Sequence, residues 1–312
     1  MPLPSAPAAG VFTRLKPFLA LSRTPHGLMD MAMPVAAALA CLGAFPPPGT
    51  SLLGLITVFA GYTAVYAVND LADYRTDRAN HLAGPPDTSG YLDAAFARHP
   101  LAMGLLTWRQ GLAWTGIWAV AALAGAWALN PACAWLLLVG VALEVVYCGL
   151  LKVTHLRALV NGVVKSLGGA AAVLAVAPHA PLWIPVAIFV MTFCWEIGGQ
   201  NIPADWFDLE LDRAQGARTL CVSLGLERAA RVSVWTLSAS TALAGLVLWL
   251  SPMGMPWWLA ALGVGTAAWL LVLPALGLAR EQSRESASLL FNRSSWFPVA
   301  LLATLLAGLA LR

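Results

Sequence analysis

The 312-residue chain is 59% hydrophobic and only 11% charged, a balance that excludes an ordinary soluble domain. Its net charge is a modest +3, and the basic residues follow a membrane pattern, so nucleic acid is excluded as a partner. Five cysteines (Cys41, Cys133, Cys148, Cys194 and Cys221) show no metal-type spacing and read as small apolar fillers of helix contacts.

From the N-terminus, residues 1–26 interleave basic residues with short apolar runs. They read as an interfacial segment, with an amphipathic helix over 11–23, rather than as a cleavable signal. Nine apolar stretches follow, at roughly 27–45, 51–71, 112–130, 132–151, 159–178, 181–201, 230–250, 255–278 and 294–311. Each is close to the ~20 residues that cross a hydrocarbon core of ~30 Å. Loops on one side are short (FPPPGTS, NP, APHAP, SPMGMP), whereas two on the other side are long, about 73–111 and 202–229. Of the 18 lysines and arginines only Arg312 falls on the short-loop side. The positive-inside rule therefore makes the long-loop side cytoplasmic. The expected fold is all-α: a polytopic membrane protein, one domain over 1–312, with nine transmembrane helices around a central cavity and cytoplasmic cap loops at 73–111 and 202–229.

Carboxylates gather at two places in this apolar chain. The run NDLADYRTDR leaves the second span carrying Asp70, Asp73 and Asp77, and NIPADWFDLELDRAQGARTL leaves the sixth carrying Asp205, Asp208 and Asp212. Spacings of three then four put each triplet on one helical face. Such stripes repel internally unless a cation neutralises them. Oxygen donors without an accompanying histidine or cysteine favour Mg²⁺ or Ca²⁺ over zinc or copper. Two facing stripes can hold a diphosphate between them through shared Mg²⁺ ions, which stabilise charge on a departing group. One such triplet alone reads as a solvated helix end; two with the same spacing, on the same side, do not.

Other polar residues fall within or beside the spans. Asp30, Glu144 and Glu196 are intramembrane acids and hence functional candidates. Asn161 and Lys165 share a face in the first turns of span five, where Lys165 reads either as a cavity residue or as a snorkelling lysine. Glu144 either flanks a substrate or pairs with a cation such as Lys165. Arg75, inside the first triplet, either contacts phosphate or offsets the carboxylates. Most of the fourteen tryptophans suit aromatic belts or packing.

The chain resembles the UbiA superfamily of membrane-embedded prenyltransferases. The family's first motif, NDxxDxxxD, is matched by Asn69, Asp70, Asp73 and Asp77. Its second, DxxxDxxxG followed by a basic residue and threonine, is matched by Asp208, Asp212, Gly216, Arg218 and Thr219, with Asp205 extending it. The resemblance implies that Asp70, Asp73, Asp77, Asp205, Asp208 and Asp212 bind Mg²⁺ and the diphosphate of a polyprenyl donor. It implies Asn69 and Asn201 as supports of the metal shell by hydrogen bonding. Tyr147 and Lys152 resemble a tyrosine and lysine ending the family's fourth helix, and Arg218 is given a diphosphate role. The allylic cation would pass to an acceptor, with an aromatic quinone precursor as the expectation. Two departures stand out: Ala79 to Ala97 intervenes before Arg98–Gly104, where His99 replaces the usual arginine, and Arg23-Thr24-Pro25 stands for the family's Arg-Pro. Both touch regions that grip substrate. Rival readings are a membrane terpene cyclase or prenyl diphosphatase of the same family, and a cation transporter. The transporter would need polar residues through the outer halves of the spans, which are almost entirely apolar.

Overall fold

The computed structural model describes residues 11–83 and 96–312. Residues 1–10 and 84–95, the latter covering most of the Ala79–Ala97 segment, lie outside the described residues. Helix α1 (Val11–Leu21) leads into α2 (Thr24–Leu42), α3 (Pro48–Ala83), α4 (Trp108–Leu129), α5 (Pro131–Gly149) and α6 (Arg157–Val176). Then follow α7 (Trp183–Phe207), the short α8 (Leu209–Gln215) and α9 (Leu220–Leu224), and finally α10 (Leu226–Leu250), α11 (Trp257–Glu281) and α12 (Arg284–Ala310). Nine helices among the described residues are long and apolar enough to cross a membrane. The chain is thus a multi-pass helical membrane protein.

Local chemistry explains the connections. Asn130 Oδ1 accepts from Ala132 N–H at 2.9 Å, and Pro131 opens α5, so the single residue Asn130 suffices between α4 and α5. The Asn130 amide also donates to the Leu174 carbonyl at 3.0 Å, tying that turn to α6. At the start of α4, Thr107 and Gln110 form a capping box. Consecutive spans pack side by side from α3 to α7 and on through α10, α11 and α12, and α2 closes the ring against α12, α6 and α3. The inner helices are α2 and α7, with 67% and 61% of their apolar windows buried. The small residues of α2, among them Ala36, Ala37 and Ala40, permit that close approach.

Three expectations change. First, α3 is one continuous helix of 36 residues, about 54 Å long at 1.5 Å per residue, so its last turns extend well past a hydrocarbon core. Residues 73–83, expected as the start of a cap loop, are those turns. Second, the expected 202–229 loop is largely helical: the end of α7, then α8, α9 and the first turn of α10. Third, Asp208 sits at a break with φ −95° and ψ 11° between two helices, so the second triplet does not form one uninterrupted helical stripe. The first does, all within α3.

Candidate active site

Because α3 overshoots the bilayer and α7 breaks at Asp208, both aspartate motifs meet at the basic side of the bundle. Here lies a polar cavity of ≈ 460 Å³. Asp73, Asp77, Asp205, Asp208 and Asp212 line it, and Asp70 is buried beside it. Glycine at 216 lets the chain turn back after α8 with φ 70°, bringing Thr219 to the same wall.

The segment after residue 95 reaches both motifs. Arg98 makes a two-pronged ion pair with Asp208, Nη1 to Oδ1 at 3.0 Å and Nη2 to Oδ2 at 2.5 Å. Its neighbour His99 places Nδ1 3.0 Å from Asp70 Oδ1 and 2.8 Å from Asp77 Oδ2. Burial alone would lower the imidazole's pKa, but the hydrogen bonds to Asp70 and Asp77 and the charge of Asp77 push it up to about 9. On the opposite motif, burial and then the neighbouring charge of Asp208 push the Asp212 carboxyl up to about 6. Asp205 accepts from the Leu220 N–H at 3.1 Å, fixing the start of α9 against α7.

These carboxylates fit divalent metal ions. Oδ2 of Asp70 is buried with no hydrogen-bond partner, an arrangement costly for an oxygen anion unless something else satisfies it. Asp70, Asp77 and His99 each offer one ligand atom, all lying within 4.8 Å of one another.

Deeper in the cavity the walls are polar amides and paired charges. Asn69 donates to Glu144 Oε1 at 2.9 Å and accepts from Arg23 at 3.2 Å. Asn161 donates to Glu196 Oε1 at 3.0 Å and to Asn201 Oδ1 at 3.1 Å, while Asn201 donates to the same Glu196 oxygen at 2.9 Å. Glu196 Oε2 remains buried without a hydrogen-bond partner. Residues Glu196–Asn201 form a π-helical turn in α7, a distortion frequent at functional sites. Lys165 donates to Asp30 Oδ2 at 2.6 Å and to Tyr66 Oη. The expected alternative of a Glu144–Lys165 pair therefore gives way to Lys165 with Asp30, because α2 is packed directly against α6.

A second, apolar cavity of ≈ 360 Å³ shares Val65, Tyr66 and Lys165 with the first. It runs towards the far side, past Gly61 and Gly54 to Phe45 and Leu129.

Of the residues singled out by sequence, the cavity gathers Asn69, Asp73, Asp77, Tyr147, Asn161, Lys165, Asn201, Asp205, Asp208, Asp212 and Arg23. Arg75, Lys152 and Arg218 are exposed and lie outside its lining; Arg218 Nη1 donates to the Val153 carbonyl at 3.3 Å instead. Sequence reasoning missed Arg157, buried in the cavity wall with its guanidinium 3.9 Å from the Tyr147 ring centroid. The available signal was periodicity: Arg157, Asn161 and Lys165 recur every four residues on one face of α6.

Comparison with known proteins follows the same lines. A digeranylgeranylglyceryl phosphate synthase of Thermococcus kodakarensis is 25% identical over 278 residues, spanning 87% of this chain and 90% of that protein. A UbiA homologue from Archaeoglobus fulgidus, solved with DMAPP and Mg²⁺, superposes with a TM-score of 0.65 at 18% identity, covering 95% of this chain and 99% of that one. The apo structure of a UbiA homologue from Aeropyrum pernix K1 gives 0.68 at 20% identity, covering 90% and 97%. The sequence pattern of the UbiA prenyltransferase family matches residues 31–309. With that match running through nearly every span that frames the cavity, the chain belongs to the UbiA prenyltransferase family.

Proposed function

We propose that the chain acts as one integral-membrane domain that moves a prenyl group from a polyprenyl diphosphate to a polar acceptor, using Mg²⁺ or a comparable divalent ion. The observation that carries this reading is the junction of two unlike cavities: a carboxylate-lined one at the basic side and an apolar one continuing from Tyr66 and Lys165. An amphipathic donor has the matching form, an anionic head at the mouth and a hydrocarbon tail between the helices. Asp70, Asp73, Asp77, Asp205, Asp208 and Asp212 would hold the metal, which when bound neutralises charge on the diphosphate.

The chain's own residues account for the rest. Arg157 adds fixed positive charge to the cavity wall, attracting the diphosphate and stabilising it as it departs. The allylic C–O bond breaks with its electron pair passing to the diphosphate oxygen, the acceptor's electron pair forms the new bond to the allylic carbon, and the proton the acceptor then loses passes to the released diphosphate or to water. Apolar walls around the tail exclude water from the allylic carbon. Glu144 and Glu196 face the cavity as the groups able to accept hydrogen bonds from the acceptor, Glu196 through its unpartnered Oε2. Acceptor class is the point at which sequence and relatives diverge. An aromatic quinone precursor was the expectation, whereas the curated relative is a digeranylgeranylglyceryl phosphate synthase. A glycerol phosphate acceptor is therefore tested beside the aromatic one.

The test is turnover of labelled prenyl diphosphates of several lengths by the purified protein, with Mg²⁺ and each acceptor in turn. Asp73→Ala and Asp208→Ala serve as controls. Transfer of label to one acceptor by the wild type alone supports the reading and names the acceptor. Diphosphate release without transfer favours a cyclase or diphosphatase. Absence of both release and donor binding refutes it.

A further inference from the structure

We propose that His99 is a metal ligand, so that the first aspartate motif forms a mixed nitrogen–oxygen centre selective for Mn²⁺ and similar first-row ions over Mg²⁺. This inference rests on the metal-dependent reading above and adds a donor that the motif itself does not contain.

Geometry is the main argument. Adjacent ligands of an octahedral ion bound at about 2.1 Å lie about 3.0 Å apart. His99 Nδ1 stands 3.0 Å from Asp70 Oδ1 and 2.8 Å from Asp77 Oδ2, so two edges of one coordination face already have that length, and the three residues' ligand atoms lie within 4.8 Å of one another. Asp70 supplies the independent sign of a missing partner. It is 3% exposed, and its Oδ2 makes no hydrogen bond.

The imidazole is also held in place. His99 has φ 56°, in the left-handed region that few residues other than glycine occupy. Such strain persists only where surroundings over-determine it. Here they do. Arg98, one residue before, is clamped to Asp208. The carbonyl of His99 accepts from Met103 N–H at 3.1 Å, closing a turn. Leu101 and Leu106 are buried against Leu21 and Ala67, pinning that turn to α1 and α3. A histidine needed only as a loose counter-ion would require none of this.

Chemistry then sets the ion. Two carboxylates and an imidazole are a harder–softer mixture that suits Mn²⁺, Fe²⁺ or Co²⁺ better than six oxygens do, and affinity rises along that series. Mg²⁺ gains little from a nitrogen donor. Ligation uses the neutral ring, Nδ1 on the metal and the proton on Nε2.

The experiment is pulsed electron paramagnetic resonance of Mn²⁺ bound to the full-length protein in nanodiscs, without substrate. The proposal expects a ¹⁴N coupling from one directly bound imidazole, converted to a ¹⁵N coupling when the protein carries [¹⁵N]histidine. In His99→Gln that coupling vanishes, and Mn²⁺ affinity falls about tenfold or more, the scale on which removal of a metal site's supporting groups is felt. Isotope labelling of the wild type reads the bond directly, so the result stands even where the variant folds poorly. Bound Mn²⁺ with no nitrogen coupling overturns the proposal while leaving a carboxylate metal site intact. A wild-type protein that binds neither Mn²⁺ nor Mg²⁺ overturns the metal-dependent reading as well.

Discussion

At the scale of single residues, surroundings decide function more than residue type does. Lys152 and Arg157 are both basic and lie five residues apart between α5 and the start of α6, yet Lys152 is exposed and Arg157 is buried in the cavity wall over Tyr147. Arg157→Met removes a buried charge next to the carboxylates and the place proposed for the diphosphate. A charged hydrogen-bond donor contributes about 1.5–3 kcal/mol, so kcat/KM for the donor is expected to fall about 10- to 100-fold. Lys152→Ala, by contrast, is expected to stay within about threefold, since exposed charges are screened. Steady-state kinetics of the two variants side by side checks both; equal losses would return the diphosphate to Lys152. Charge placement does not separate the two, because both residues satisfy the positive-inside pattern equally well; only the four-residue spacing of Arg157 from Asn161 and Lys165 does. The aspartates were legible, since carboxylates with helical spacing stand out in an apolar chain. Their partners were not. Arg98 meets Asp208 across 110 positions, a distance over which no local periodicity carries information.

At the scale of elements, the irregular turns are where packing is tightest. In the π-helical turn of α7, a Cβ on Gly198 would come 2.2 Å from Thr236 Oγ1 and 2.9 Å from Leu237 Cγ, and one on Gly199 would come 2.9 Å from Ser294 Cβ. Those contacts let α10 and α12 approach the turn that carries Glu196 and Asn201. Gly198→Ala is therefore expected to destabilise by about 1–3 kcal/mol through overpacking, seen as a lowered midpoint of thermal unfolding in detergent. Gly61→Ala on α3 meets nothing within 4 Å and is expected to leave the midpoint unchanged or slightly raised. A second element-level device is the pairing of α6 to α2 through Lys165 and the buried Asp30, with Tyr66 Oη hydrogen-bonded to both. Removing Lys165 leaves Asp30 with His26 Nε2, 3.4 Å from Oδ1, as its basic partner, so Lys165→Met is expected to cost up to about 3–5 kcal/mol. Asp30→Asn with Lys165→Met removes both charges and is expected to recover most of that loss. A double-mutant cycle in which the losses simply add would dismiss the pair as a structural unit. The sequence disclosed Asp30 and Lys165 separately as intramembrane charges but not as partners, because helix order around a ring is set by packing rather than by spacing. The same limit explains the second aspartate triplet. Its spacing implied a single stripe, while the break at Asp208 depends on how α8 turns across the bundle.

At the scale of the whole molecule, the span count was the most legible feature, since each helix needs its own apolar run and little else competes with that requirement in a bilayer. Charge placement carries the remaining information. Only Arg312 stands on the short-loop side, and its guanidinium is taken up by the carbonyls of Gly43, Pro252 and Met253. The cavity opens on the basic side, so orientation determines from which compartment the diphosphate arrives. Cysteine accessibility in a cytoplasmic membrane tests this. The native thiols suit the purpose: Cys41, Cys133 and Cys221 are buried, and Cys148 and Cys194 only partly accessible. Burial also pushes the Cys221 thiol up, away from its reactive form. Ala214→Cys on exposed α8 and His179→Cys in the short APHAP loop would each add one exposed thiol. An impermeant maleimide is expected to label His179→Cys in intact cells and Ala214→Cys only in inverted vesicles. Labelling of Ala214→Cys from outside would reverse the orientation and require donor and metal to be supplied from the outer compartment. The expected result instead joins the aspartate motifs to the compartment where Mg²⁺, Mn²⁺ and soluble acceptors are within reach, with the tail of the donor entering from the bilayer.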